Sequence, residues 1–201
     1  MSNTYVDVNT ADEIPLVDLQ ANEGLTWDGK YYYSLKSNDL IKSDPVAGEI
    51  KRVTLVPASG GSYEGVASLE KRLALIEDDG AGTCFLVIID TDGSTVHRLK
   101  IGSDFKRLSF LDKRLYTIRK DENICELAVD GTVQRTDFYT SVFGRGLDGI
   151  TNDGKYLYIS SATNRDITKI DLAGTFMRSI SPGTSPVGDI TFSGRYIVNT
   201  V

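Results

Sequence analysis

Short apolar runs alternate along this chain with polar turns, and at one recurring position the run is apolar on both sides. Tyr32, Leu73, Leu115, Leu157 and Ile197 fall on one side of that strand, and Tyr33, Ala74, Tyr116, Tyr158 and Val198 fall on the other. A half-solvated strand alternates apolar with polar residues, so a strand apolar on both faces predicts a sheet packed between two others. The strand before it recurs as an anchor. Gly149-Ile150-Thr151-Asn152-Asp153-Gly154-Lys155 is echoed by Gly24-Leu25-Thr26-Trp27-Asp28-Gly29-Lys30 and by Gly65-Val66-Ala67-Ser68-Leu69-Glu70-Lys71. Two looser copies are Arg107-Leu108-Ser109-Phe110-Leu111-Asp112-Lys113 and Asp189-Ile190-Thr191-Phe192-Ser193-Gly194-Arg195. The spacing of the anchors gives a period of about 41 residues, which belongs to propellers and solenoids.

Two further strands follow in the internal copies, joined by hairpin turns such as Asp90-Thr91-Asp92-Gly93, Asp130-Gly131 and Ala173-Gly174. Glycine accepts the positive φ that such turns need. The fourth strand carries Lys51, Arg52, His97, Arg98, Lys100, Arg135 and Arg178, and the N-terminal copy carries Pro15. Charge and proline on an edge discourage pairing with other chains, so this strand is predicted at the rim and the anchor strand at the axis. The first residues hold two strand candidates, Thr4 to Val8 and Ile14 to Leu19, around a turn with Asn9 and Asp12. Joined to the last anchor they come close to one full period. The expected fold is therefore all-β, a single five-bladed β-propeller spanning 1–201 with four antiparallel strands per blade. The blades run approximately 24–62, 63–104, 105–145, 146–186, and 187–201 completed by 1–23 in a two-plus-two clasp, which leaves only short protected edges.

Composition narrows the function classes. With 25% charged residues and a net charge of −6, a polyanionic partner meets net repulsion, which disfavours nucleic acid. The longest apolar run, Phe85 to Ile89, is far short of the roughly 20 residues that cross a bilayer, so no membrane insertion is expected. The first residues show neither a basic head nor an apolar core, so a soluble protein without a signal peptide, cytoplasmic or part of a virion, is expected. Cys84 and Cys125 lie in separate strand-like runs and read as buried free thiols.

Most chemical motifs dissolve on inspection. Gly144-Arg145-Gly146-Leu147-Asp148-Gly149 matches the dinucleotide pattern literally, but the sequence after it is β-rich where a helix is required. Asp90-Thr91-Asp92-Gly93 lacks the later glycine and glutamate of a calcium loop. The single histidine, His97, falls on a predicted rim strand, and no nucleophile elbow accompanies it. No catalytic residue, metal set or cofactor signature emerges. Two constellations remain. Trp27, Phe110 and Phe192 occupy equivalent ends of the anchor strands, with Ser68 and Asn152 in the other copies; they suit inter-blade packing or, as an alternative, stacking on a sugar. Glu23, Glu64, Arg107, Asp148 and Asp189 stand at or just before each anchor. Four carboxylates and one arginine at the mouth of an axial channel suit a solvated charged ring, a cation or a polar ligand.

The copies with a Gly-hydrophobic-small start, an Asp-Gly-Lys turn, and Ile170-Asp171-Leu172-Ala173-Gly174 after the second strand resemble the NHL and YVTN classes of propeller repeat. That resemblance implies the architecture and leaves function open, because those classes serve binding, scaffolding and catalysis alike. The expected function is a non-enzymatic structural or protein-interaction propeller, with protein partners in a larger assembly such as a virus or phage particle, in its tail or fibre. The alternatives are a carbohydrate-binding, lectin-like propeller and a calcium-assisted hydrolase of the gluconolactonase type.

Overall fold

The structure is a computed structural model that describes residues 4–7, 13–15, 23–140, 146–181, 188–194 and 196–199. The predicted strand positions Val8 and 16–19, the turn residues Asn9 and Asp12, and Gly144, Arg145 and Arg195 lie outside the described residues. The protein is an all-β propeller of four-stranded antiparallel sheets. β1 (Thr4–Asp7) and β2 (Glu13–Pro15) come first in the chain. The first continuous blade is β3 (Gly24–Trp27), β4 (Tyr32–Lys36), β5 (Asp39–Asp44) and β6 (Gly48–Thr54). The second is β7 (Ser62–Leu69), β8 (Arg72–Asp78), β9 (Thr83–Asp90) and β10 (Thr95–Ser103). The third is β11 (Phe105–Leu111), β12 (Arg114–Arg119), β13 (Asn123–Ala128) and β14 (Val133–Thr140). The fourth is β15 (Leu147–Asn152), β16 (Leu157–Ser161), β17 (Asp166–Ile170) and β18 (Phe176–Ile180).

Unbroken blades thus number four among the described residues. β19 (Ile190–Ser193) and β20 (Tyr196–Asn199) belong instead to a composite sheet of order β19-β20-β1-β2, in which Thr4 pairs with Asn199 and Asp7 with Tyr196. The inner strands touch in the cycle β3, β7, β11, β15, β19 and back to β3.

The core lies between sheets rather than within one. Tyr33, Leu35 and Leu40 of the first blade meet Val66, Leu73 and Leu75 of the second. Ala74, Ile76 and Leu86 then meet Leu108, Leu115 and Leu127 of the third. The pattern continues through Tyr116 and Ile118 against Ile150 and Leu157, Tyr158 and Ile167 against Ile190 and Ile197, and Val198 against Leu25 and Tyr32. Every second-strand residue singled out by its two-sided apolar pattern is buried. Burying such a side chain contributes about 1.5–3 kcal/mol, which is why the blades hold only as neighbours. Cys84 and Cys125 are buried and free.

The fourth strands of the continuous blades are exposed along most of their length, and His97 lies on one of them. Arg98 departs from the expected role of an edge-blunting charge. Its guanidinium lies 3.4 Å from the Phe85 ring centroid and donates 3.0 Å bonds to both carboxylate oxygens of buried Glu77. Ser59 donates to the same carboxylate from its amide at 2.9 Å and its hydroxyl at 2.6 Å, so the pair anchors the link between the first and second blades. Among the described residues no helix is long and apolar enough to cross a membrane.

Candidate functional site: the two ends of the axial channel

The inner strands run in one sense around the axis, so their first residues gather at one end and their last at the other. At the first end they approach so closely that a side chain does not fit. A Cβ on Gly65 would stand 2.7 Å from the Arg107 Cα, and one on Gly149 would stand 2.7 Å from the Ile190 amide nitrogen. Glycine in this column is therefore a matter of backbone approach. Two copies of the repeat depart from it, with Arg107 and Asp189, and these two meet.

Arg107 is the extra residue of a bulge in β11, in the left-handed region with φ 47°. Similar bulges leave Glu64 in β7 and Asp148 in β15 outside the ladder. A bulge turns backbone groups away from the sheet, and here it turns them toward the axis. The Arg107 guanidinium collects them. Its Nη1 donates to the carbonyls of Glu23 at 2.8 Å and Glu64 at 3.0 Å, and its Nε donates to the carbonyl of Asp148 at 2.7 Å. Ion pairs run to Asp148 Oδ1 at 3.4 Å and to Asp189 Oδ2 at 3.7 Å. One side chain of the third blade thus binds the other three continuous blades and the composite sheet. Only 11% of the side chain is exposed.

The structure brings all five predicted mouth residues together, but in a different role from a ring of carboxylates. Glu23 and Glu64 contribute carbonyls. The Glu23 carboxylate accepts from the Ser37 amide at 2.8 Å, and that of Glu64 accepts from the Ser62 hydroxyl at 2.9 Å. The position a cation would need is held by the guanidinium. Burial pushes the Asp189 carboxyl up to about 7, with nearby Asp148 and Glu23 adding to the rise and Arg107 and the Ile190 amide opposing it. Burial also raises Glu23, against the Ser37 amide and Arg107. Around this hub Lys120 Nζ meets Asp78 Oδ2 at 2.9 Å, while Leu147 donates its amide to Glu122 at 2.6 Å and accepts from Lys106 Nζ at 3.0 Å. These contacts tie the second blade to the third and the third to the fourth.

The opposite end opens into a well of about 120 Å³. Each inner strand brings one hydroxyl to its wall: Thr26, Ser68, Ser109, Thr151 and Thr191. Thr26 Oγ1 accepts from the Ser68 amide at 3.0 Å, and Thr151 Oγ1 accepts from the Phe192 amide at 2.9 Å. Asn152 Nδ2 donates to Ser109 Oγ and to the Phe110 carbonyl, both at 2.9 Å. Sequence reasoning missed this device. The column was legible as small residues, yet nothing in it announced that a hydroxyl would reach the neighbouring strand. The aromatic set flanks the same well, partly spent on packing: Trp27 tilts against Tyr32 with centroids 4.5 Å apart, and Phe192 stacks on Tyr158 at 6.1 Å. The glycine-rich motif continues from Gly146 directly into strand β15, so no helix N-terminus follows it.

No protein-family model and no curated protein sequence matches the chain. Among solved structures it is similar to the glutaminyl cyclase of Myxococcus xanthus, with a TM-score of 0.64 and 14% identity over 92% of this chain and 96% of that one. It is also similar to BamB from Moraxella catarrhalis, with a TM-score of 0.51 and 11% identity over 92% of this chain and 62% of that one. At such identities the likeness extends to the propeller fold alone.

Proposed function

We propose that the protein is a non-enzymatic interaction module, a five-bladed disc in which the composite sheet serves as the fifth blade and the rim docks on protein partners in a larger assembly. The pairing of β1 with β20 and the contact of β19 with β3 support the blade count. The observation that carries the interaction reading is apolar exposure near the start of every outer strand of the continuous blades. Ile50 and Val96 are the extra residues of bulges near the start of β6 and β10, and Val133 and Phe176 open β14 and β18, all between 37% and 49% accessible. Val46, Val129 and Leu172 add exposed aliphatic groups in the adjoining hairpins. Single exposed apolar residues are ordinary, but their recurrence near the start of four outer strands supports a contact surface.

The hydrolase alternative needs carboxylates converging on a cation at the axis, where Arg107 already stands. Affinity capture from the source organism tests the interaction reading. The intact protein is expected to retain a defined partner that Val133→Lys with Phe176→Lys loses at an unchanged melting temperature. Equal retention by both proteins would overturn the rim assignment, and a partnerless monomer that turns over a substrate would overturn the function.

A further inference from the structure

The hydroxyl end of the channel has a donor inventory that favours one class of ligand. Thr26, Ser109 and Thr151 each already accept a bond at oxygen, from the Ser68 amide, the Asn152 amide and the Phe192 amide respectively. A hydroxyl whose oxygen is engaged in this way still has its hydrogen to give. Among the described residues no protein acceptor takes those hydrogens, and none engages the hydroxyls of Ser68 and Thr191 on the same wall. The Asn152 Oδ1 already takes the Gly154 amide at 3.1 Å. Among the described residues no carboxylate, imidazole or amine lines the well. The wall therefore offers one O–H hydrogen from each of the five inner strands to a single small space.

A single sugar hydroxyl has two lone pairs and would meet at most two of these five hydrogens. An ionised carboxylate, sulfate or phosphate group presents acceptors alone. Size points the same way. At about 120 Å³ the well is smaller than the roughly 300–1,000 Å³ of pockets that enclose whole small molecules, so it suits a single group. Charge permits it. The four turns beside the well carry Lys30, Lys71, Lys113 and Lys155 against Asp28, Glu70, Asp112 and Asp153, so the rim is balanced although the chain carries a net charge of −6. The acidic residues Glu23, Glu64, Asp148 and Asp189 gather at the far end.

We propose that the well is a binding site for a small oxyanion group, free or at the tip of a larger ligand, held by hydroxyl hydrogens from the five inner strands. The site is independent of the rim and of any partner docked there.

Trp27 is the single tryptophan of the chain and lines the well, so its emission reports occupancy directly. The intact protein is titrated at constant ionic strength with sulfate, inorganic phosphate and acetate, with phenyl phosphate as a group carried on a larger body, and with glycerol and methyl glucoside as neutral polyols. A saturable change is expected with at least one oxyanion and with neither polyol. Tighter binding of phenyl phosphate than of phosphate assigns the well to the tip of a larger ligand; equal binding assigns it to the free ion. Thr191→Val and Ser68→Ala, which remove hydroxyls outside the inter-strand bonds, are each expected to weaken binding about tenfold, the equivalent of one charge-assisted hydrogen bond, with the melting temperature unchanged. The proposal is overturned by no saturable response up to about 100 mM of any oxyanion, by polyols binding better than oxyanions, or by affinities that both variants leave intact.

Discussion

The two ends of the axis solve the same problem by opposite means. At one end a single cation, Arg107, gathers carbonyls and carboxylates from all the other sheets. At the other, neutral hydroxyls and one amide each join a strand only to its neighbour. A concentrated hub makes every sheet depend on one residue. A distributed ladder loses one bond at a time and leaves room at its centre. The arginine end is therefore read as structural, and the hydroxyl end as the part free to meet a ligand.

The sharpest way to break this contrast is Arg107→Met. It strips donors from the carbonyls of Glu23, Glu64 and Asp148 and leaves buried Asp189 without its counter-charge. A loss of about 3–5 kcal/mol is expected, lowering the melting temperature by roughly 6–20 °C. Denaturant and thermal unfolding measure it, and a loss below about 1 kcal/mol would show that the hub is not concentrated in this residue. Next in size is Asp189→Asn. The folded carboxyl titrates near 7 against 3.8 as its ordinary value, so the folded state keeps a proton that the unfolded chain releases in between. Stability from this group is fullest below pH 4, falls as pH rises toward 7 and is level above it, a change on the order of 4 kcal/mol. The substitution is expected to flatten that slope, as read by denaturation at stepped pH; an unchanged slope would move the titration elsewhere.

Changes at the hydroxyl end should be smaller. Asn152→Ala removes both bonds that the amide gives to the third blade, at a cost of about 1–2 kcal/mol. Thr151→Val leaves the Phe192 amide without its acceptor and costs about 1 kcal/mol, since water in the open well replaces part of the bond. Thr191→Val should stay within about 0.5 kcal/mol. Equal losses at Arg107 and at Thr151 in calorimetric melts would erase the distinction between the two ends.

Much of this architecture was legible from the chain. Two-sided apolar strands such as Leu157 to Ile159 announced sheets packed on both faces, and the recurring turn glycines announced hairpins. The mouth residues were also placed together by the anchor column alone. Their roles were not legible. Carbonyl groups carry no sequence signature, so the contributions of Glu23 and Glu64 look like carboxylates until the folded backbone aims their carbonyls at Arg107. The meeting of Arg107 with Asp189 spans two repeats, and periodicity aligns such positions without saying that they touch. Arg98 shows the same limit on the rim: a charge on an outer strand reads as solvated, yet buried Glu77 draws it inward.

The composite sheet bears on the order in which the molecule is assembled. Its hairpins are local, whereas the pairing of Thr4–Asp7 with Tyr196–Asn199 joins strands separated by nearly the whole described chain. Such distant pairing must meet its loop-closure entropy before any contact repays it. During synthesis the continuous blades can form in turn, each against the one before, while β1 waits for a partner that emerges only after them. Until then the incipient disc is an arc with an apolar face at either end. The docking of β20 against β1 is the event that converts that arc into a closed ring, and the seam it leaves is the place from which the ring would reopen.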